Sequence, residues 1–204
     1  MNPIIRTVIE VLFQPWVVSV VFLLLLLVCI FFFFFQKGKR DHVFKVLIAS
    51  AIAFRLLYAC FLTWGQYYAW SHDPISQYLL PPHQSINYFL FYAFSRFFLN
   101  FLISLVVAAV WYMCLKLLQR YRESLFDAGE IRLGFLCAFI AGWPHFVLFL
   151  PLVFICVIIV SLVRKIFLKQ EYTSMGIPFL VSALTVLLLG SRMIELFHLT
   201  VLKI

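Results

Sequence analysis

The sequence predicts an all-α fold, a polytopic membrane helical bundle of six to seven transmembrane helices. Three observations lead there. Of the 204 residues, 65% are hydrophobic and 12% are charged. Several apolar runs exceed the roughly 18 residues that mark a spanning helix. Runs such as Val17 to Phe35 do not alternate polar and apolar residues as barrel strands do, and lipid admits only helices and closed barrels, whose backbone groups are satisfied internally. The length predicts a single membrane domain, residues 1–204, with no separate soluble part.

The elements follow in order. Residues 1–14 read as a short amphipathic segment at the interface, with Arg6 and Glu10 four apart. Pro15 and Trp16 open the first span, which runs to about Phe35 and is expected to be retained, since no small-residue cleavage site follows it. Lys37, Lys39, Arg40 and Lys45 form the densest basic cluster, which assigns this end to the cytoplasm. The second span runs from about Val43 to Trp70, and Trp64, Tyr67, Tyr68 and Trp70 form an aromatic belt at its far end. Ser71 to Ser85 is a polar connection with a Pro81-Pro82 stop. Ile86 to Leu118 fits one tilted helix or a tight hairpin near Arg96. Ile131 to Val163 divides into two helices at Trp143-Pro144-His145, and Arg164, Lys165 and Lys169 close it. The last span begins near Gly176-Ile177-Pro178, where proline suits a first helical turn, and ends around Thr200.

The net charge of +8 is accounted for by cationic loops that orient the spans, so no nucleic-acid partner is expected and membrane lipids are. Five cysteines lie singly within apolar runs and form no Cys-x-x-Cys pair, which points to neither a metal site nor a disulfide framework. No cofactor is expected. Arg55 lies near the centre of the second span, and an ionisable group there marks a functional site by default. Arg96, Asn100 and Ser104 recur every four residues and share one helix face. Arg192, Glu195 and His198 repeat at three-residue spacing, which fits anchoring at a helix end better than metal ligation.

The second half carries an ordered set of motifs: Gly129-Glu130-Ile131-Arg132-Leu133, then Gly142-Trp143-Pro144, a helix with the basic end Arg164-Lys165, and Ile177-Pro178-Phe179. Over residues 129–200 this order resembles the prepilin leader peptidases, the Gly-x-Gly-Asp membrane aspartic proteases, in their short peptidase-only form. The methylase region of the family's long forms has no counterpart, so methyl transfer is not implied. The resemblance implies an aspartic-type endopeptidase of a bacterial inner membrane, cutting the basic leader from a pilin-like precursor near the cytoplasmic face. It assigns the two catalytic carboxylates to Asp73, which precedes Leu79-Leu80-Pro81, and to Glu130. Gly129 keeps the family's glycine. Arg132 stands where the family has lysine, to position a carboxylate or bind a lipid phosphate. Asp127 stands where the family has its first glycine, as a substitute carboxylate or a solvated loop residue.

Such an enzyme needs two carboxylates close enough to share one proton, the ionised one activating water and the protonated one donating to the scissile carbonyl. Glu130 in place of aspartate shifts its carboxylate by about 1 Å, a misplacement of the kind that costs roughly a hundredfold in rate. Topology decides more. A hairpin near Arg96 puts Asp73 and Glu130 on one face, and a single long helix separates them. Two other readings compete: a catalytically inactive homologue serving as a membrane interaction or assembly subunit, and a small transporter or lipid-handling protein built on Arg55 and Arg96.

Overall fold

The computed structural model describes residues 14, 16–35, 40–121, 127–168 and 174–199. The expected interfacial segment 1–14 and the end near Thr200 lie almost wholly outside them. Six helices carry the described chain: α1 (Trp16–Phe35), α2 (Arg40–His72), α3 (Ile86–Tyr121), α4 (Ala128–Ala141), α5 (Phe146–Val163) and α6 (Gly176–Leu196). No strand occurs among the described residues. Five of the helices, all but α4, are long and apolar enough to cross a membrane, and the chain is a multi-pass membrane protein.

The hairpin that a count of seven requires is absent. Ile86–Tyr121 is one continuous helix of 36 residues. A π-helical turn at Phe94–Phe98 lies where the hairpin was expected, and the backbone stays helical through it. Helix α4 has 14 residues. At 1.5 Å per residue it is about 21 Å long, short of the roughly 30 Å hydrocarbon core.

Side-chain contacts fix the directions. Helix α4 runs antiparallel to α3, with Gly134 against Leu115, Phe135 against Tyr112 and Phe139 against Phe101. Arg55 of α2 reaches Phe139, and Phe22 of α1 packs on Phe54. Phe33 near the end of α1 covers Gly176 at the start of α6. One end of the bundle therefore gathers the end of α1 and the starts of α2, α4 and α6. Lys45, Lys116, Arg120 and Arg132 sit toward it, so this is a basic end of the bundle.

The core is centred on α4. Ile131, Leu133, Leu136, Cys137, Ala138, Phe139 and Ile140 are all buried, and a helix apolar on every side belongs inside a bundle. Around it, α1 buries Phe22, Leu26, Cys29 and Phe33, a single stripe at helical spacing. Leu24, Leu27, Phe31, Phe34 and Phe35 on its other faces are exposed, as suits contact with lipid. Helix α4 stops at Gly142, which adopts φ 62° and ψ 176°, a conformation open essentially to glycine alone. The chain then turns through Trp143-Pro144 into α5.

A Cβ at position 142 would also lie 2.8 Å from the Arg55 guanidinium. Gly142→Ala is therefore expected to destabilise the protein by about 1–3 kcal/mol, read as a lowered thermal midpoint in detergent. An unchanged midpoint would show that the turn tolerates a side chain.

Candidate functional site

Glu130 is the carboxylate that the sequence places at the centre of the site, and it is buried with 7% of its surface exposed. Its position follows from local sequence. Asp127-x-x-Glu130 is a capping box at the N-terminus of α4: the Asp127 side chain accepts the Glu130 backbone N–H, and Glu130 reaches back to the Asp127 N–H at 3.4 Å. The second Glu130 oxygen leaves its own helix. Oε1 accepts a short hydrogen bond from the Ser174 hydroxyl and lies 3.4 Å from the Gly176 backbone N–H. One carboxylate thus satisfies donors at the starts of both α4 and α6, where helix dipoles also favour negative charge. Gly129 is buried in the first turn of α4, Asp127 is exposed, and Arg132 is half-buried one turn further on.

Asp73 lies elsewhere. It is fully exposed just past the end of α2, where its Oδ2 accepts the Ser76 N–H at 2.8 Å and its carbonyl accepts the Gln77 N–H. These bonds make it the organiser of a short turn. Hydrogen bonds from the Ser76 side chain and backbone hold its carboxyl below the usual carboxylate range. Asp73 precedes the first residue of α3, whereas Glu130 sits beyond the level of Leu115 near the other end. That stretch of helix spans roughly 40 Å at 1.5 Å per residue. The structure does not bring Asp73 and Glu130 together, because α3 is one helix and carries the chain from one face to the other.

The polar residues inside the spans form a second constellation. Arg55 Nη1 donates to the Phe139 carbonyl at 3.2 Å, in the last turn of α4. Its guanidinium stands over the Phe22 and Phe139 rings, 5.4 and 5.2 Å from their centroids. An arginine at a helix C-terminus satisfies an orphan carbonyl and faces the negative end of the dipole. The Ser104 hydroxyl donates to the Asn100 carbonyl and accepts the Trp143 N–H at 3.0 Å, tying the α4–α5 turn to α3. Arg96 sits in the π-helical turn and bonds the Tyr92 hydroxyl. Arg55, Tyr58, Arg96 and Asn100 line one cavity of about 330 Å³ between α1, α2 and α3.

The expected face of Arg96, Asn100 and Ser104 is partly realised: the first two share the cavity, and Ser104 is buried beside it. Arg192, Glu195 and His198 are exposed at the end of α6. Among the described residues, no three His, Cys, Asp or Glu side chains are grouped as a metal site requires. Sequence reading passed over Ser174 and the Phe139 carbonyl. The capping signature Asp127-x-x-Glu130 points to the first end of α4, and nothing in the sequence marks the second. Comparison with protein-family models, curated proteins and solved structures finds no match for this chain.

If Glu130 is a fastener, Glu130→Ala leaves buried donors unpaired and costs about 1–3 kcal/mol. Glu130→Gln, which keeps an acceptor, costs less. A double-mutant cycle with Ser174→Ala, followed by thermal unfolding, is expected to give a coupling of about 0.5 kcal/mol or more, and additivity would separate the two residues. At Asp73 the carboxyl is depressed, so its contribution to the turn is complete above the unfolded carboxylate value and disappears as pH falls through the folded one. The Ser76 amide signal should follow that titration in wild type and lose it in Asp73→Asn.

Proposed function

We propose that this chain is a non-cleaving membrane subunit on a prepilin-leader-peptidase-like scaffold, acting in assembly or interaction with pilin-like precursors. In this reading it resides in a bacterial inner membrane. The six helices α1–α6 are its membrane segments, α4 entering only part of the way. The resemblance over residues 129–200 motivates the choice of partner. One observation carries the loss of cleavage: both oxygens of Glu130, at the motif's carboxylate position, are engaged by donors of the chain's own loop and helix starts. A proteolytic carboxylate must instead hold a water against the substrate carbonyl. The separation of Asp73 from Glu130 supports the same conclusion.

A second reading, the aspartic endopeptidase itself, is favoured by a different observation. Asp127 and Glu130 share one capping box at the basic end of the bundle, which puts two carboxylates within one helical turn on the side where this reading would present a leader peptide. Asp73 would not belong to that pair.

Co-expression with a pilin-like precursor separates the two. The subunit reading expects no leader removal by wild type or by Glu130→Asp, together with recovery of intact precursor on the purified chain. Leader removal by wild type that Glu130→Gln abolishes, in a variant that still folds, would establish the endopeptidase.

A further inference from the structure

The cavity beside α4 owes its existence to the length of that helix. Helix α4 ends at Ala141, level with Ser104 of α3, while α2 and α3 continue well past that level. Beyond the α4–α5 turn, among the described residues, no central helix fills the space between them. The space is lined by two arginines from different helices, Arg55 and Arg96, by Tyr58 and Asn100, and by Val18 and Phe97 of the wall. No aspartate or glutamate is among its lining residues.

Three of these polar groups, Arg55, Arg96 and Asn100, have capacity left over. A guanidinium carries five N–H donors. Among the described residues Arg55 spends one on the Phe139 carbonyl, and Arg96 bonds the Tyr92 hydroxyl. The Asn100 Oδ1 is buried and accepts no hydrogen bond. Arg55 is a charge inside a membrane bundle, which calls for a counter-charge or a polar cavity; Arg96 is exposed at the cavity's rim, and a buried acceptor calls for a donor. Two cations and one unmet acceptor around a single void match a group with anionic oxygens and a hydroxyl. Arginine forks fit phosphate oxygens bidentately.

We infer that this cavity binds a phosphate-bearing anionic group, its charged oxygens between Arg55 and Arg96 and a hydroxyl toward Asn100. The shared chemistry is that of an anionic phospholipid headgroup and of free phosphate. The inference is independent of whether the chain cleaves a precursor.

The test uses the full chain in detergent, with thermal midpoints followed during titration by short-chain phosphatidylglycerol, short-chain phosphatidylcholine or inorganic phosphate. Saturable stabilisation by phosphatidylglycerol above phosphatidylcholine is expected. Arg96→Gln should weaken it about tenfold, as loss of a charge-assisted contact would. Asn100→Leu should weaken it while keeping the core packed, and Lys116→Gln on the basic end should leave it unchanged. Arg55 is unsuitable as the only probe, because its loss also uncaps α4. Stabilisation by inorganic phosphate alone, with the same dependence on Arg96, would uphold the site and assign it to the free ion. Absence of any anion effect, or an effect that Arg96→Gln and Asn100→Leu leave intact, would overturn the inference.

Discussion

The backbone polar groups at the two ends of α4 must be satisfied inside the protein, and the rest of the bundle is arranged around that demand. A spanning helix delivers its orphan N–H and C=O groups to water or headgroups. Helix α4 is too short for that at its second end and is buried on almost every side. Its first end is closed by the Asp127–Glu130 box, its second by Arg55. Each closure recruits another helix: Glu130 binds the start of α6 through Ser174 and Gly176, and Arg55 brings in α2. The turn after α4 is held to α3 by Ser104.

The same demand bears on chemistry. A buried carboxylate at a helix start, on the basic face of a membrane protein, has the outward marks of a catalytic group. Its partners give it a structural office. An acid that accepts from a hydroxyl and from backbone amides of two helices is preorganised to stay where it is. The intramembrane arginine is a comparable case. Its position mid-span signals function, and part of that signal is explained by a carbonyl that would otherwise be bare. The part left over is the side of its guanidinium that faces the cavity.

Hydropathy made the spanning helices legible, since length and lack of charge suffice for that. The division at Trp143-Pro144 was legible too, because proline ends helices. Less accessible was the continuity of α3: Arg96 and Asn100 in the middle of an apolar run suggest a break, and the chain instead absorbs them by a π-helical turn beside a polar cavity. That single difference decides which face Asp73 occupies. Asp127-x-x-Glu130 could have been read as a cap from its spacing, but the catalytic resemblance drew the glutamate into another role. Ser174 and the Phe139 carbonyl were out of reach, since a tertiary partner 44 or 84 residues distant leaves no local pattern.

The bond between Arg55 and Phe139 has a consequence for biogenesis. Placing an arginine at the middle of a membrane helix costs about 2.5–3.5 kcal/mol on insertion scales. Helix α2 leaves the ribosome long before α4 exists, because its partner carbonyl is 84 residues downstream. During that interval α2 carries its cation without the contact that later accommodates it. Insertion of α2 therefore rests on its apolar flanks, and its final rotation is set only when α4 arrives. Synthesis order and tertiary order diverge in this protein: α2 precedes α4 in synthesis and waits on it for its final setting.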